Sequence, residues 1–296
     1  MSPPLALGID VGGTSIKTSV VDETGEASGV LRTPTPADDP TGEKTAAAVA
    51  ELISRQVDRH DVAAIGLAVP GVVNEFTGTV VSAVNLGWTD LPFRRMVEGH
   101  LDLPLAFGQD VRTGAFAEAS LGAARDRGVS VFMPIGTGIS IGIIVEGVPL
   151  SSGGWAGEIG QLPVMTADDR GELRSLERPS LESVASASAI AERIGCATAK
   201  DAAELVRQRD PQAVRVWRSA VDALADAIAW TTGVVGAEVV VIGGGLGEAG
   251  PLLLDPLSRA VDRRLGVLRR PAILPAVFGD LATTIGAGLL ALRQLR

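Results

Sequence analysis

Cysteine, histidine and tyrosine are scarce in this chain of 296 residues, which has one Cys, two His and no Tyr. The single cysteine, Cys196, excludes a disulfide within the chain and fits a reducing compartment. A structural zinc site usually needs several Cys or His ligands, and Cys196, His60 and His100 lie far apart in the sequence. These shortages disfavour both a disulfide framework and a zinc centre.

Long apolar runs and positive charge are also missing. The apolar segment at residues 239–242 is far shorter than the roughly 20 residues that a membrane span requires, and the N-terminus has neither a basic region nor a cleavage signal. The formal net charge of −9 disfavours general binding to nucleic acids or anionic membranes. We therefore expect a cytoplasmic protein with no nucleic-acid or membrane partner. An anionic nucleotide would have to be attracted by backbone N–H groups and Mg²⁺.

The composition, 46% hydrophobic and 21% charged, is that of an ordinary globular protein, and the length allows two domains of roughly 150 residues each. Two stretches have the same plan. An apolar strand at residues 5–11 passes through a glycine turn into an alternating strand at 16–21, and residues 130–135 pass through GTG into ISIGIIVEG. Each stretch predicts a β-hairpin. The repeat suggests two related α/β domains with a ligand bound between them.

Further elements follow from the spacing of apolar residues. Residues 45–57 place Ala48, Leu52 and Ile53 on one face of a helix, and residues 62–69 predict a buried strand that ends at Pro70-Gly71. The polar stretch at 33–44 predicts a surface loop. In the second half we expect helices at 181–192, 210–235 and 283–295, and a strand at 238–242.

The motif DVGGTSIK follows the first strand. Gly12 and Gly13 permit a turn with exposed backbone N–H groups, which can hold phosphate oxygens, and Asp10 could hold Mg²⁺ directly or through water. A simple hairpin turn explains the same residues, and the pattern is not a Walker loop. The stretch PIGTGISIG offers a second cradle, in which Thr137 supplies a hydroxyl and Gly136 and Gly138 supply exposed N–H groups, so that two such hairpins could hold one triphosphate.

The stretch GGGLGEAG contains the spacing of a dinucleotide fingerprint at Gly245, Gly247 and Gly250. We reject that interpretation because about 46 residues follow it, too few for the rest of a doubly wound sheet. A strand that runs into glycines can instead let the backbone approach an adenine or a ribose.

Three acidic residues are candidates for chemistry. Asp110 precedes an Ala-rich helix, where Asp commonly serves as an N-cap but could equally act as a general base. Glu158 and Glu182 lie beside glycines and small residues in GGWAGEIGQ and SLESVASASA. Either glutamate alone could simply be solvated.

Taken together and in order, these stretches resemble the ROK family of sugar kinases and sugar-responsive repressors over nearly the whole chain. The similarity is carried by LGIDVGGTSIK, by VPGVVN followed by NLGW, by QDVRTGAFAEA, by PIGTGISIGIIVEG, by GWAGEIGQ, by LESVASASA and by VVVIGGGL. The resemblance implies an α/β, two-domain actin-like (ribonuclease H-like) sugar kinase fold with a cleft between the domains. We expect one domain at 1–109 plus 284–296 and the other at 110–283, and a homodimer.

The resemblance also implies roles for individual residues. Asp110 would accept the proton of the sugar 6-hydroxyl, and Asp10 would hold Mg²⁺. The sugar-binding candidates are Gly71, Asn85, Gln109, Asp110, Glu158, Gln161 and Glu182. The candidates for binding ATP are Asp10, Gly12, Gly13, Thr14, Lys17, Thr137, Gly138, Gly244 and Gly245.

The chain departs from the family pattern at three places. Gln109 replaces the asparagine before the aspartate, and Gln161 replaces a zinc-ligand histidine. Leu173, Ser175 and Ser180 stand where the family has a cysteine cluster. We therefore expect no structural zinc, with direct packing around Leu173, Leu176 and Pro179 holding the segment that presents Glu182.

The resemblance implies an ATP-dependent hexose 6-kinase. A sugar-responsive regulator is disfavoured because the first motif begins near residue ten, with no room for a preceding DNA-binding domain, and a catalytically inactive sugar sensor is disfavoured by Asp110 and the two hairpins. The glutamines at 109 and 161 suggest a glucose-shaped substrate, with a free amino sugar such as kanosamine favoured by charge-assisted hydrogen bonds to Glu158 or Glu182. An N-acetylhexosamine kinase is the alternative.

Overall fold

The computed structural model describes residues 3–99, 101–164 and 179–296, and the chain divides into two compact units. The first unit comprises Met1–Arg125, Gly147–Ala156 and Asp280–Arg296, and the second comprises Asp126–Glu146 and Gly157–Gly279. We expected a boundary at residue 110. The helix that begins there belongs instead to the first unit, because it packs closely against the helix at 282–294.

The elements alternate along the chain as in an α/β protein. The strands are β1 (Leu5–Val11), β2 (Ser15–Val21), β3 (Ala27–Pro34), β4 (Val62–Val69), β5 (Val72–Asn74), β6 (Thr79–Ala83), β7 (Trp88–Leu91), β8 (Leu105–Gln109), β9 (Val129–Pro134), β10 (Gly142–Val145), β11 (Val148–Pro149), β12 (Val239–Gly243) and β13 (Ala272–Pro275). The helices are α1 (Glu43–Val57), α2 (Phe93–Glu98), α3 (Asp110–Ser120), α4 (Leu181–Ala185), α5 (Ala187–Ile194), α6 (Ala199–Arg207), α7 (Pro211–Val235), α8 (Gly244–Gly247), α9 (Pro251–Leu265) and α10 (Ala282–Gln294).

The two units repeat one sheet topology. In the first unit the order is β3-β2-β1-β4-β8, with β1 and β2 antiparallel and with β1, β4 and β8 mutually parallel. In the second unit β9 and β10 are antiparallel, β12 runs parallel to β9, and β13 runs parallel to β12. This agreement confirms the repeat that was predicted from the two glycine hairpins. A separate three-stranded sheet, β5-β6-β7, extends the first unit.

Most predicted elements form close to their predicted bounds, and one differs for a local reason. Residues 181–192, predicted as one helix, form α4 and α5 with a break at Ser186. The Ser186 side chain accepts a hydrogen bond from the backbone N–H of Ala189, so it serves as the N-cap of a new helix. Among the described residues, no helix has both the length and the apolar composition needed to cross a membrane.

Glycines allow helix α10 to lie directly against the backbone of the first unit. A Cβ at Gly8 of β1 would overlap the carbonyl oxygen of Thr284, and one at Gly66 of β4 would overlap that of Ala287. A Cβ at Gly286 of α10 would likewise overlap the carbonyl oxygen of Thr113 on α3. These contacts require glycine on steric grounds and fix α10 against β1, β4 and α3.

We predict that Gly286→Ala lowers the free energy of unfolding by about 1–3 kcal/mol or more, because overpacking a rigid contact forces the backbone apart. Gly233→Ala in α7 is the matched control. A Cβ at Gly233 meets only Leu268, 3.5 Å away, so alanine should stabilise that helix by about 0.5–1 kcal/mol. Urea denaturation of both variants checks the prediction, and an equal effect of the two changes would contradict it.

Candidate active site

The carboxyl ends of three parallel strands bring the first-unit candidates to one edge of the sheet. The register pairs Asp10 with Ala68 and Val69 with Gln109. The DVGGTSIK turn, Pro70-Gly71 and the start of α3 therefore leave the sheet at the same edge. In open α/β sheets, ligands bind at the carboxyl ends of the strands.

Asp110 is the first residue of α3, and its neighbours hold its carboxylate. Oδ1 accepts hydrogen bonds from the backbone N–H of Val111 at 2.8 Å and from Nε2 of Gln109 at 2.6 Å. The N-cap of α3 is Gln109, whose Oε1 accepts from the N–H of Arg112 at 2.8 Å. The capping role considered for Asp110 thus belongs to its neighbour.

Gln109 itself is buried, with 3% of its surface exposed. Both polar atoms of its amide take part in the contacts with Asp110 and Arg112. We expected Gln109 to bind sugar. The geometry shows a side chain that caps the helix and orients the Asp110 carboxylate.

A row of charged residues crosses β1, β2 and β3. The register places Asp10 opposite Lys17 and Lys17 opposite Arg32. Lys17 Nζ lies 3.9 Å from Asp10 Oδ2 and donates to the carbonyl oxygen of Asp280, whose carboxylate accepts a hydrogen bond from Arg32. Asp280 stands just before α10, so this network joins the first hairpin to that helix.

Two carboxyl groups in this network have pKa values shifted in opposite directions. Burial raises the pKa of Asp10 to about 6, although the Lys17 ammonium acts against the shift. The hydrogen bond from Arg32 lowers the pKa of Asp280, with further lowering by Lys17. A cation bound beside Asp10 would favour its ionised form.

The donor chemistry beside the first hairpin fits Mg²⁺. This ion takes one or two protein carboxylates and completes its shell with waters and phosphate oxygens, and Asp10 supplies one such carboxylate. Lys17 is 7% exposed and occupied by Asp280 and Asp10. The predicted contact between Lys17 and ATP therefore gives way to a role in holding Asp10.

The DVGGTSIK turn is both a hairpin and a source of exposed donors. The N–H of Gly12 donates to the carbonyl of Ser15 at 2.9 Å, so Gly12 closes the hairpin and does not offer this donor to phosphate. Gly13 and Thr14 are exposed. Within the described part of the chain, their N–H groups have no protein acceptor. The motif can therefore be a hairpin turn and still offer backbone donors to a phosphate.

A cavity of about 610 Å³ adjoins Gly13 in the first unit. Asn85 lines it, about 3.5 Å from where a Gly13 Cβ would stand. Residues 35–40 form another wall, and Trp88 Nε1 donates to the carbonyl of Asp39 at 2.8 Å. The stretch predicted as a plain surface loop therefore borders the candidate site.

At Gly71, φ is 95° and a Cβ would overlap the carbonyl oxygen of Ser82, so glycine is required there.

In the second unit, a glutamate holds the second glycine hairpin. The N–H of Gly136 donates to the carbonyl of Gly138 at 3.1 Å, while Thr137 and Gly138 are exposed. The N–H of Ile139 donates to Glu182 Oε2 at 2.9 Å, and a Cβ at Gly138 would stand 2.7 Å from the same oxygen. The hairpin and Glu182 are therefore in direct contact.

Gln161 and Glu158 lie in the same region of the second unit. Gln161 Nε2 lies 3.4 Å from Glu182 Oε1, longer than a normal N–H···O bond of about 2.7–3.2 Å, so among the described residues this oxygen has no close donor. Gln161 is exposed, and its backbone N–H donates to the carbonyl of half-buried Glu158 at 3.2 Å.

The glycines after β12 have different constraints. At Gly244 φ is 71°, and a Cβ would stand 2.6 Å from the backbone of Ile135, so packing alone requires glycine there. Gly245 is exposed, and a Cβ at this position would meet no atom within 4 Å. Its backbone is therefore accessible, and its contact with adenosine stays a prediction.

The described residues hold no group of three or more His, Cys, Asp or Glu side chains that could bind a metal ion. Ser180 is the N-cap of α4 and accepts from the N–H of Ser183. Leu173, Ser175 and Leu176 lie outside the described residues, as does His100. The absence of structural zinc therefore stays a prediction.

Two residues of the first unit were missed by the sequence reasoning. Asp280 is 263 positions from Lys17, and no local pattern connects them. Arg112 is 2% exposed and bonded to Glu75. A charged residue on the buried face of an Ala-rich helix was the available signal.

Comparison with known proteins gives one family and several relatives. The chain matches the ROK family over residues 6–294. It is 30% identical to a glucokinase of Halalkalibacterium halodurans, covering 99% of this chain and 97% of the relative. It is 33% identical to an N-acetylmannosamine kinase of Yersinia pestis, covering 82% and 83%.

Among solved structures, the chain is similar to a ROK family glucokinase from Streptomyces griseus in complex with glucose and AMPPNP. The TM-score is 0.81 at 27% identity, covering 98% of this chain and 99% of that one. The actin-like two-domain sugar kinase fold implied by the sequence motifs is thereby confirmed.

We predict that Asp10 makes the stability of the ligand-free protein depend on pH. Its pKa is about 6 in the folded protein, against an ordinary value of 3.8, so between these values the folded state binds more protons than the unfolded state. The free energy of unfolding of the wild type, relative to Asp10→Asn, should then fall by about 2–3 kcal/mol as the pH rises from about 4 to about 6.5.

Urea titrations with EDTA at several pH values provide the measurement. Asp280→Asn is the control, because a lowered pKa places its pH dependence at more acidic values. A difference between wild type and Asp10→Asn that stays constant over this range would contradict the raised pKa.

Proposed function

The chain belongs to the ROK family, and we propose that it transfers the γ-phosphoryl group of ATP to the 6-hydroxyl of a hexose. The observation that carries the proposal is the Asp110 carboxylate, held at the start of α3 and at the carboxyl end of β8. The glucokinase relatives support a sugar acceptor and an ATP donor.

Asp110 acts as the general base in this proposal. Phosphoryl transfer depends on positioning and on charge neutralisation more than on covalent chemistry. The hydrogen bonds from Gln109 and Val111 fix the carboxylate plane, so that the carboxylate can accept the proton of the attacking hydroxyl. Gln109 contributes by orienting this group and by capping the helix.

The nucleotide is bound mainly by backbone groups. The exposed N–H groups of Gly13, Thr14, Thr137 and Gly138 donate to phosphate oxygens, and the open backbone at Gly245 meets the adenosine. Asp10, kept in place by Lys17, holds Mg²⁺ directly or through water. When bound, Mg²⁺ neutralises the phosphate charge that develops during transfer.

Glu158, Glu182 and Gln161 bind the sugar in this proposal, with Asn85 and the backbone at Gly71 as further contacts. Carboxylates accept strong, charge-assisted hydrogen bonds from hydroxyls and still stronger ones from an ammonium group. Glu182 suits this role because the long contact from Gln161 leaves Oε1 available. A free amino sugar of glucose shape, such as kanosamine, is therefore the favoured substrate.

Phosphorylation of an N-acetylhexosamine is the second candidate. The observation that favours it is the 33% identity to the Yersinia pestis N-acetylmannosamine kinase. A sugar sensor without catalysis is disfavoured, because the ordered Asp110 carboxylate would have no use in such a protein.

We predict that Asp110→Asn lowers kcat by about 10²- to 10⁴-fold while sugar affinity changes little, because the amide keeps the shape but cannot accept the proton. Product formation is followed by release of ADP, and sugar binding by calorimetry. The control is Asp255→Asn, an exposed carboxylate on α9. Near-normal turnover of Asp110→Asn would exclude Asp110 as the base.

We predict that a free amino sugar has a higher kcat/KM than its N-acetylated form, because acetylation removes the ammonium that pairs with a glutamate. Glucose, glucosamine, kanosamine, N-acetylglucosamine and N-acetylmannosamine should be compared, and NMR of the product identifies the phosphorylated hydroxyl. Preference for an N-acetylated sugar would overturn the amino-sugar assignment in favour of the second candidate.

A further inference from the structure

Arg112 is a buried arginine on α3 whose partners lie on two different segments, residues 73–75 and residues 154–156. Its Nε donates to Glu75 Oε1 at 2.6 Å, and its Nη2 donates to the carbonyl of Val73 at 2.9 Å. Its Nη1 donates to the carbonyl of Ala156 at 3.2 Å and lies 3.4 Å from the carbonyl oxygen of Gly154. All of these residues belong to the first unit.

Burying the Arg112 guanidinium beside Glu75 costs free energy of desolvation. Arg112 is 2% exposed, and Glu75 Oε2 is buried with no hydrogen-bond partner among the described residues. A buried ion pair generally adds little to stability compared with apolar side chains of similar volume. The Arg112–Glu75 pair therefore matters more for the backbone positions that it fixes than for the stability of the fold.

The segments joined by Arg112 all adjoin proposed sugar-binding residues in the sequence. Arg112 is two residues after Asp110, Val73 is two residues after Gly71, and Ala156 is two residues before Glu158. The segment at 154–156 runs in direct contact with β5, since a Cβ at Gly154 would stand 2.5 Å from the carbonyl oxygen of Val73.

We propose that Arg112 is a positioning residue for the sugar site, which sets the backbone path of residues 154–156 and of β5 relative to α3. This inference rests on the proposed function, because it assigns the positioned segments to sugar binding. Arg112 touches the backbone that leads to the binding residues and does not itself contact the reacting atoms. Its effect is expected on the affinity for sugar more than on the affinity for ATP.

The shape of the arginine side chain is essential to this role. The guanidinium presents donors in a rigid planar fork, and here the fork reaches a carboxylate and carbonyls of two different segments at once. A lysine ammonium is a compact charge on a flexible stem and cannot reproduce these directions. Arg112→Lys therefore keeps the positive charge but loses the planar set of hydrogen-bond donors.

The decisive variant is the double change Arg112→Met with Glu75→Leu. It removes both members of the ion pair together, so that the loss of stability caused by an unpaired charge is avoided, but methionine cannot bond to the carbonyls at 73, 154 and 156. We expect a urea midpoint near that of the wild type, a KM for sugar raised about tenfold or more because small displacements of binding groups are expensive, and an unchanged KM for ATP.

Three further variants complete the experiment. Arg112→Lys should raise the KM for sugar in the same way, while Glu75→Gln, which retains the carbonyl contacts of Arg112, should raise it less. The matched control is Arg94→Met with Glu98→Leu, which removes an Arg–Glu pair of the same unit that is partly exposed on α2. This control should leave the KM for sugar unchanged.

Hydrogen exchange of peptides covering residues 151–158 gives a measurement that does not require turnover. Exchange should be faster in Arg112→Lys and in the Arg112–Glu75 double variant than in the wild type, and unchanged in the Arg94–Glu98 variant. A double variant with wild-type KM for sugar and wild-type exchange would overturn the proposal, as would an equal rise of the KM values for sugar and ATP.

The two proposals fail in distinguishable ways. If the wild type phosphorylates no sugar of the panel, the proposed function is wrong, while the exchange of residues 151–158 still reports whether Arg112 fixes this segment. If the wild type is an active kinase and loss of the Arg112 contacts leaves exchange and sugar KM unchanged, only the inference about Arg112 is wrong.

Discussion

The backbone contact between α10 and its neighbours is the constraint on which the first unit depends. Gly8, Gly66 and Gly286 allow α10 to approach β1, β4 and α3 so closely that a single methyl group at any of them would overlap a carbonyl oxygen. This approach places the start of α10 beside the first hairpin, where Asp280 meets Lys17. The same helix packs against α3, so the Asp110 carboxylate and the Asp10 network share one support.

In the proposed function, the protein binds an anionic nucleotide without a surplus of cations. The chain carries a net charge of −9, and Lys17, the lysine of the first motif, is occupied by Asp280 and Asp10. Exposed N–H groups at the glycine turns and a carboxylate suited to Mg²⁺ provide the attraction in the proposed function. Burial of Asp10 raises its pKa to about 6, so the proposed binding of Mg²⁺ by this carboxylate depends on pH.

The two units use one topology for different chemistry. In each, an antiparallel hairpin is followed by parallel strands, and exposed glycine turns lie at corresponding places. In the first unit the hairpin carries its own carboxylate at Asp10. In the second, Glu182 from a separate helix accepts from the hairpin backbone at Ile139. The repeat therefore provides two similar frames, and the residues placed on them differ.

The sequence alone determined the elements and the family, because hairpins, apolar strands and glycine turns are local patterns. Strand β4 begins and ends as predicted, and the two-hairpin repeat appears in both sheets. Tertiary structure decided which groups the polar side chains bond to. The capping group of α3 is Gln109 and not Asp110, because the helix begins at Asp110, one residue earlier than a cap at that position would require. Lys17 meets Asp280 across 263 positions, and Arg112 meets carbonyls about 40 residues away on either side. Such pairings depend on how strands and helices pack, and no local pattern of residues encodes that packing.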